Sequence, residues 1–352
     1  MIEVNQQAIA DKLGISRATV SRCFTNHKGI NPVTRAKVFQ VAAEIGYQHM
    51  ETRAHSRKKP KKQINLCVLI CTDAEEYLHG QYQSPGEQIL AGVTEFAQLH
   101  GATIEVHLVP PEATTLDHPK FQQIKSLTKR KINGVLLIYP FAEAVIEELA
   151  PRFPLVSLVD QLEHSSIDCV DVDHYNGIST VVDHLVELGH KRIGFYTKSY
   201  PVEASWSYRR YSAFIEKMAR LKLQVAHTDL IGMFPRSEKN QEQSIDELAE
   251  RTKQGVTAWV CAADHQAYDV IQGLKKRGLK VPKDVSVTGF DGIEKPGVNP
   301  SLTTVGIPFR EIGMTGTERL AARLRKRFHE SRHVYISGIL KPGKTVAKPR
   351  SI

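Results

Sequence analysis

The fold of the first part of the chain is decided by residues 5 to 47, NQQAIADKLGISRATVSRCFTNHKGINPVTRAKVFQVAAEIGY. Asn5, Ser16 and Asn31 are strong helix N-caps, and each precedes apolar residues at helical spacing. Gly14 permits the left-handed backbone of a tight turn between the first two helices. The stretch, called the head below, therefore predicts three short helices in a helix-turn-helix arrangement.

The second predicted helix has one apolar and one polar face. Val20 and Phe24 face inward four residues apart, whereas hydroxyl and arginine side chains are left to face outward. A helix with this surface enters the major groove of DNA in helix-turn-helix proteins, where Arg17 can donate two hydrogen bonds to guanine. The alternative is a small structural helical bundle. The candidate DNA-contact residues are Asn5, Ser16, Arg17, Ala18, Thr19, Ser21, Arg22, Asn31, Thr34 and Met50.

The charge distribution favours the same interpretation. Residues 1 to 62 hold twelve Lys or Arg and four Asp or Glu, so they carry +8 of the net charge of +9. A basic segment joined to a nearly neutral body is typical of a DNA-binding module attached to a domain with another role. A solvated basic tail would explain RKKPKK at 57 to 62, but not the patterned helices before it.

Cysteine usage and hydropathy indicate a cytoplasmic protein. No apolar run approaches the roughly 18 residues of a membrane span, and the N-terminus lacks the apolar region of a signal peptide. Of the five cysteines, Cys67 and Cys71 share one face of a predicted strand and the others are isolated. We expect buried, reduced thiols instead of disulfides or metal ligands.

From residue 64 onward, short apolar runs alternate with helical segments. The runs are INLCVLI, TIEVHLV, GVLLIY and PLVSLV in a first series, and IDCVDV, RIGFYT, AWVCA and VSVTGF in a second. The helical segments include 86 to 100, 119 to 131, 176 to 188, 207 to 222 and 266 to 277. This alternation predicts an α/β core of two doubly wound parallel sheets, about nine strands in all. Such sheets bind ligands at the carboxyl ends of their strands, so we expect a site in the cleft between two lobes.

Several stretches resemble the LacI/GalR family of bacterial transcription regulators, across essentially the whole chain. They are LGISRATVSR and TRAKV in the head, LVD at 158 to 160, HLVELGHKRIGF at 184 to 195, VPKDVSVTGFDG at 281 to 292 and LTTVGIPFREIG at 302 to 313. The resemblance implies a helix-turn-helix domain followed by a periplasmic-binding-protein-like core. It also implies a homodimer, a pseudo-palindromic double-stranded DNA operator, and a small effector that controls repression.

The domain boundaries follow from the pattern and the resemblance together. The DNA-binding domain is expected at 1–49, a basic hinge at 50–63 and the core at 64–352. Because the last helices of the family cross back, the N-subdomain should comprise about 64–162 and 293–327, and the C-subdomain about 163–292 and 328–346. The hinge departs from the family at His49, Met50 and Ser56, so a minor-groove wedge would have to be Met50 or be absent.

The resemblance also indicates an effector site that holds a sugar or sugar derivative. A carboxylate and a guanidinium can hydrogen-bond sugar hydroxyls, and an aromatic ring can stack on the face of a sugar. The alternatives are a purine or a phosphorylated metabolite, and Asp160 or Asp291 acting only as a helix cap. The family's usual Asn is Ala263 here. The candidate effector-binding residues are Asp73, Asp160, Trp206, Arg210, Phe234 and Asp291.

No catalytic constellation stands out, and no cofactor or metal is expected. GILKPGKT at 338 to 345 satisfies the P-loop pattern, but too few residues follow it to form the phosphate-binding helix. HESRH at 329 to 333 satisfies the zinc pattern HExxH but runs directly into the strand-like HVYIS. We predict a regulator and not an enzyme. A sugar-binding or enzymatic protein of periplasmic-binding-like fold is the alternative from a different class.

Overall fold

The computed structural model describes residues 4–25, 27, 29–47, 64–72, 84–129, 131–162, 167–198, 205–232, 240–295, 301–325 and 330–350. The chain forms two compact units, each made of two segments. The first unit contains Met1–Asp171 and Phe309–Val334, and the second contains Val172–Pro308 and Tyr335–Ile352. The chain therefore passes from one unit to the other three times.

The head folds as the three predicted helices. They are α1 (Gln6–Leu13), α2 (Arg17–Phe24) and α3 (Pro32–Glu44). The side chains of Asn5, Ser16 and Asn31 cap them by accepting backbone N–H hydrogen bonds at 2.9, 3.1 and 2.8 Å. Gly14 ends α1 with φ 62°, a left-handed conformation that glycine adopts without steric cost. The caps and the turn are thus confirmed.

Apolar side chains from all three helices form the core of the head. Phe24 of α2 packs against the rings of Phe39 and Tyr47, whose centroids lie 5.3 and 5.4 Å away. Burying these aromatic side chains supplies much of the stability available to so small a unit. The buried core residues are Ile9, Ala10, Val20, Cys23, Val38, Val41 and Ala42.

A six-stranded sheet forms the centre of the first unit. Its strands lie in the order β11-β5-β4-β3-β1-β2. The four neighbouring pairs from β5 through β4, β3 and β1 to β2 are all parallel. The strands are β1 (Asn65–Cys71), β2 (Thr103–Val109), β3 (Gly134–Ile138), β4 (Leu155–Leu158), β5 (Asp168–Val172) and β11 (His333–Ile336). The helices are α4 (Pro85–His100), α5 (Pro119–Gln122), α6 (Lys125–Thr128), α7 (Glu143–Leu149) and α12 (Phe309–Leu324).

Two glycines let α4 and α12 approach each other closely. A Cβ atom on Gly92 would lie 1.9 Å from the carbonyl oxygen of Arg310, and one on Gly313 would lie 2.0 Å from that of Ile89. Side chains larger than hydrogen are therefore excluded at both positions. This contact holds α12, which comes late in the chain, against α4 within the first unit.

The second unit contains a four-stranded parallel sheet in the order β7-β6-β8-β9 and an antiparallel pair, β10-β12. The strands are β6 (Ile193–Tyr196), β7 (Leu230–Ile231), β8 (Ala258–Cys261), β9 (Ser286–Thr288), β10 (Thr304–Gly306) and β12 (Ile339–Lys341). The helices are α8 (His174–Glu187), α9 (Ser205–Arg220), α10 (Gln241–Lys253) and α11 (Asp264–Lys276). Parallel strands alternating with helices confirm the predicted α/β class.

Three predictions about the core differ from the structure. The helix expected over 119 to 131 is two single turns, α5 and α6. The strand IDCVDV, assigned to the second series, is β5 of the first sheet because Asp168 and Val170 pair with Val156 and Leu158 of β4. Likewise, 293–308 lies in the second unit, where β10 pairs with β12. The predicted subdomain boundaries therefore shift.

The head packs on the first unit through α3, which contacts α4 and β2. The Gln40 side-chain amide donates to the Glu87 carboxylate at 3.2 Å, and the Thr94 hydroxyl donates to the Pro32 carbonyl at 3.2 Å. The predicted hinge at 50–63 lies outside the described residues. The contact of α3 with the core was not predicted.

The cysteines and the helices agree with two further sequence-based expectations. None of the five cysteines forms a disulfide, and only Cys71 is not fully buried. None of the helices in the described part of the chain is both long and apolar enough to cross a membrane.

Candidate functional site

The polar face of α2 is turned to solvent. Ser16, Arg17, Ala18 and Arg22 are exposed, and Thr19 is half-buried. The Ser16 hydroxyl accepts from the backbone N–H of Thr19 at 3.1 Å and pairs with the Thr19 hydroxyl at 2.9 Å. Capping α2 therefore occupies the Ser16 side chain, whereas the two arginines project two positive charges from the helix.

The remaining candidates for DNA contact lie around α2. Asn5 and Asn31 are engaged as N-caps of α1 and α3, and Thr34 is a half-buried residue in the first turn of α3. Ser21 is half-buried on α2. Met50 lies outside the described residues.

A second candidate site is centred on Arg210, a buried residue of α9. Its Nη2 donates to the Asp291 carboxylate at 3.0 Å, and its Nη1 donates to the Ala262 carbonyl at 2.6 Å. Its Nε donates to Nδ1 of His174, at the start of α8, at 3.2 Å. One guanidinium thus joins α8, α9, the end of β8 and the loop after β9.

Two aromatic rings flank this guanidinium. The carbon at its centre lies 4.0 Å from the ring centroid of Phe290 and 4.7 Å from that of Trp206. A cation over an aromatic face is attracted by the negative charge density of the ring, more strongly where water is excluded. The rings and the ion pair together hold the Arg210 side chain in one orientation.

Asp291 has an unusual backbone conformation. Its φ is 128°, in the region that residues with a Cβ rarely adopt. The conformation is held by two hydrogen bonds, from the Asp291 N–H to the Val305 carbonyl at 2.9 Å and from the Ile307 N–H to the Asp291 carbonyl at 3.1 Å. Such strain persists where surrounding contacts enforce it, as at binding and catalytic sites.

A second carboxylate, Asp264, lies at the start of α11 near this pair. It accepts a hydrogen bond from the Thr304 hydroxyl at 2.5 Å and another from the Ile293 N–H at 2.6 Å. Burial and the neighbouring Asp291 charge nevertheless raise the pKa of Asp264 to about 7. Burial also raises the pKa of Asp291, although the Arg210 charge opposes this.

The next residue, His265, is half-buried by solvent exposure. Burial, followed by the positive charges of Lys198 and Arg210, lowers its pKa to about 3. His265 is therefore neutral at physiological pH and adds no positive charge beside Arg210.

The structure brings together three of the six predicted effector residues: Trp206, Arg210 and Asp291. Asp160 is buried in the first unit, where its backbone carbonyl accepts from the Ser157 hydroxyl at 2.6 Å and from the Cys169 thiol at 3.3 Å. Asp73 and Phe234 lie outside the described residues.

The sequence-based prediction missed three neighbours of Arg210. Phe290 and Asp264 adjoin positions already singled out, Asp291 and Ala263, so their proximity in sequence was an available signal. His174 begins the helix after β5, and its approach to Arg210 depends on the tertiary packing of α8 against α9.

Comparisons with known proteins match the two parts of the chain separately. The head, residues 7–49, matches a family model described as "Bacterial regulatory proteins, lacI family". Residues 182–346 match a periplasmic binding protein-like domain. The HTH-type transcriptional repressor MelR of Bacillus subtilis is 28% identical over 339 residues, covering 91% of each protein.

The chain thus joins a lacI-type regulatory domain in the head to a periplasmic-binding-protein-like domain in the core. Solved structures agree with this family fold: a CelR–cellobiose complex superposes with a TM-score of 0.68 at 20% identity, covering 97% of this chain and 99% of that one. The lac repressor dimer bound to operator and the anti-inducer ONPF gives a TM-score of 0.62 at 22% identity, with the same coverage. Its named relatives are transcriptional repressors, and they confirm the predictions of a regulator and of a protein that is not an enzyme.

Two sequence motifs match enzyme patterns but have structural roles in this chain. In GILKPGKT, the Thr345 hydroxyl is buried and accepts from the Thr303 N–H at 2.9 Å. The described residues that follow, to 350, form no helix that could hold a phosphate. In HESRH, His333 begins β11, so the helix that HExxH needs for zinc is not formed by the described residues of this motif.

Proposed function

We propose that this protein represses transcription as a homodimer that places α2 of each head in the major groove of a pseudo-palindromic operator. The observation that carries the proposal is the orientation of the head. Helix α3 packs against the core, whereas the polar face of α2 stays exposed. Two-fold symmetry of the protein then requires inverted half-sites at a fixed spacing.

Within this proposal, the exposed residues of α2 have different roles. Arg17 reads guanine through two hydrogen bonds, Ala18 contacts a thymine methyl group, and Arg22 reaches a base or a phosphate. Ser16 caps the helix. The other polar candidates, Asn5, Thr19, Ser21, Asn31 and Thr34, contact phosphates, which fix the register without reading sequence. Met50 as a minor-groove wedge stays a hypothesis.

We also propose that a sugar or sugar derivative binds the second unit beside Arg210 and Asp291 and controls repression. The ion pair supplies charged groups for hydroxyl recognition, and Trp206 supplies an aromatic surface. The fold accommodates such ligands, because the similar CelR structure is a complex with cellobiose.

The charges near Arg210 favour a neutral ligand over a phosphorylated one. Asp264 and Asp291 both lie close to the guanidinium, so a phosphate group would approach two carboxyl groups for a single cation. A hydroxyl group can donate to a carboxylate, whereas a phosphate dianion cannot. A neutral polyhydroxy compound is therefore the better match.

The DNA-binding proposal is tested with Arg17→Ala on a duplex selected from a random pool by the wild-type protein. We expect operator affinity to fall by about 1–3 kcal/mol and the base preference to relax at one position in each half-site. Lys37→Ala removes an equal charge from the exposed face of α3 and serves as the control. If Arg17→Ala weakens binding to operator and random DNA equally, Arg17 contacts only phosphate.

A further inference from the structure

A cluster of potential metal ligands lies at the edge of the sheet in the first unit. In the register of β1 and β2, Cys67 pairs with Glu105, and His107 follows two residues later. Because side chains alternate along a strand, these three share one face of the sheet. Their ligand atoms, a thiol sulfur, a carboxylate oxygen and an imidazole nitrogen, all lie within 4.8 Å of one another.

The carboxylate of Glu105 is the centre of the cluster. It accepts a hydrogen bond from the Ser126 hydroxyl, and its Oε1 lies 3.3 Å from Nε2 of His107. One of its oxygens lies within 4.8 Å of both the Cys67 sulfur and a His107 nitrogen, which places it to act as a ligand.

The imidazole of His107 is incompletely satisfied. Its Nε2 is buried, and no described residue completes a hydrogen bond of good geometry with it, despite the close approach of Glu105. A buried polar atom without a well-formed hydrogen bond is uncommon in native proteins and invites a ligand as its explanation. A metal ion would use the lone pair of this nitrogen directly.

We propose that Cys67 Sγ, a Glu105 carboxylate oxygen and His107 Nε2 bind one Zn²⁺ ion in the first unit. Zinc takes sulfur, nitrogen and oxygen ligands at about 2.0–2.3 Å, which places tetrahedral ligands roughly 3.5 Å apart. The His107 nitrogen and the Glu105 oxygen already lie 3.3 Å apart, and side-chain rotations that bring the other ligand atoms, now at most 4.8 Å apart, closer by about 1 Å meet that requirement. Thiolate and imidazole together select zinc over Mg²⁺ or Ca²⁺, which prefer oxygen.

Solvent reaches one side of the cluster, because the side chains of Glu105 and His107 are 36% and 19% exposed. Glu105, His107 and Ser126 line a cavity of about 520 Å³ in the first unit. Three lysines, Lys125, Lys129 and Lys131, line the same cavity. When Zn²⁺ is bound the site is neutral, because the thiolate and the carboxylate balance the two charges of the ion. Repulsion by the lysines is therefore weak.

Metal binding must remove the proton of Cys67. Burial and the adjacent Glu105 raise the pKa of this thiol well above its usual value, so it is protonated in the metal-free protein. Zn²⁺ forms its bond to sulfur as the S–H bond breaks, and the proton passes to solvent or buffer. This assignment revises the expectation that all five cysteines are only buried thiols.

The test uses the full-length reduced protein, stripped of metal by a chelator and titrated with Co²⁺ as a spectroscopic substitute for Zn²⁺. We expect one equivalent of Co²⁺ to produce a thiolate charge-transfer absorption band, and Zn²⁺ to displace it. His107→Gln should weaken binding by at least about tenfold. Cys67→Ala should abolish the band, and Cys71→Ala, on the same strand, should retain it.

Circular dichroism of each variant shows that it is folded before titration. If Cys67→Ala does not fold, His107→Gln decides the question alone, because His107 lies on the edge strand and is only half-buried. The proposal is overturned if the wild type gives no thiolate band. It is equally overturned if the band survives in His107→Gln with unchanged affinity, or disappears in Cys71→Ala.

Discussion

The raised pKa of Asp264 predicts that the second unit loses stability as pH rises from 4 to 7. In the unfolded chain an aspartate titrates near 3.9, whereas burial and the Asp291 charge raise the pKa of Asp264 to about 7 in the folded protein. The folded state therefore binds the proton more tightly. Its stabilising contribution is complete below about pH 4 and is lost as pH rises through the folded pKa.

The size of the effect follows from the two pKa values. A difference of about three pKa units corresponds to about 4 kcal/mol over the full range. Between pH 5 and pH 8, the contribution of this carboxyl falls by about 3 kcal/mol. Asp264→Asn removes the titration while keeping an acceptor for the Ile293 N–H and a group that can pair with the Thr304 hydroxyl.

The measurement is denaturant unfolding at pH 5 and pH 8, followed by tryptophan fluorescence. The chain has only two tryptophans, Trp206 and Trp259, and both lie in the second unit. The signal therefore reports the unit that contains Asp264. Relative to wild type, Asp264→Asn should gain about 3 kcal/mol of stability on going from pH 5 to pH 8.

Asp246→Asn is the matched control, because this carboxylate is exposed and pairs with Arg277 on the surface of the same unit. Its pH dependence should follow that of the wild type. If Asp264→Asn also follows the wild type, Asp264 is ionised throughout this range and the reasoning from burial is refuted.

Three further predictions concern other contacts. Gly92→Ala should destabilise the first unit by about 1–3 kcal/mol, seen as a lower denaturation midpoint, because its Cβ would overlap the Arg310 carbonyl. Arg319→Met should lower the free energy of unfolding by about 2–4 kcal/mol, because the fully buried Asp168 loses a donor at 2.5 Å; an effect below about 0.5 kcal/mol would contradict this. Asp291→Asn should weaken binding of the preferred sugar by at least about tenfold in calorimetry, and unchanged affinity would move the site elsewhere.

The head could be predicted from sequence because its determinants are local. Each helix starts at a side chain that caps it, and Gly14 supplies the left-handed turn within the same short segment. The contact of α3 with the core could not be predicted in this way. The Gln40–Glu87 and Thr94–Pro32 hydrogen bonds join residues 47 and 62 positions apart, and no local pattern encodes such pairs.

The core shows the same division between local and long-range information. The alternation of strands and helices gave the α/β class, but strand β5 was assigned to the wrong sheet because an apolar run does not specify its hydrogen-bonding partner. The Arg210–Asp291 pair was anticipated from family resemblance, and the structure joins them at 3.0 Å. The Cys67–Glu105–His107 cluster was missed because it depends on the register of β1 against β2.

The contacts of Arg210 determine which substitution can test the effector site. Three of its five N–H groups are already engaged by Asp291, His174 and the Ala262 carbonyl, so this side chain joins four segments of the second unit as well as facing a candidate ligand. Truncating Arg210 would leave a buried carboxylate without its cation, and a loss of ligand binding would then be inseparable from a loss of stability. Asp291→Asn keeps an oxygen for the guanidinium but removes its counter-charge, so ligand affinity and unfolding must both be measured in this variant. A loss of effector affinity in that variant, with unfolding unchanged, therefore assigns the effect to recognition of the ligand.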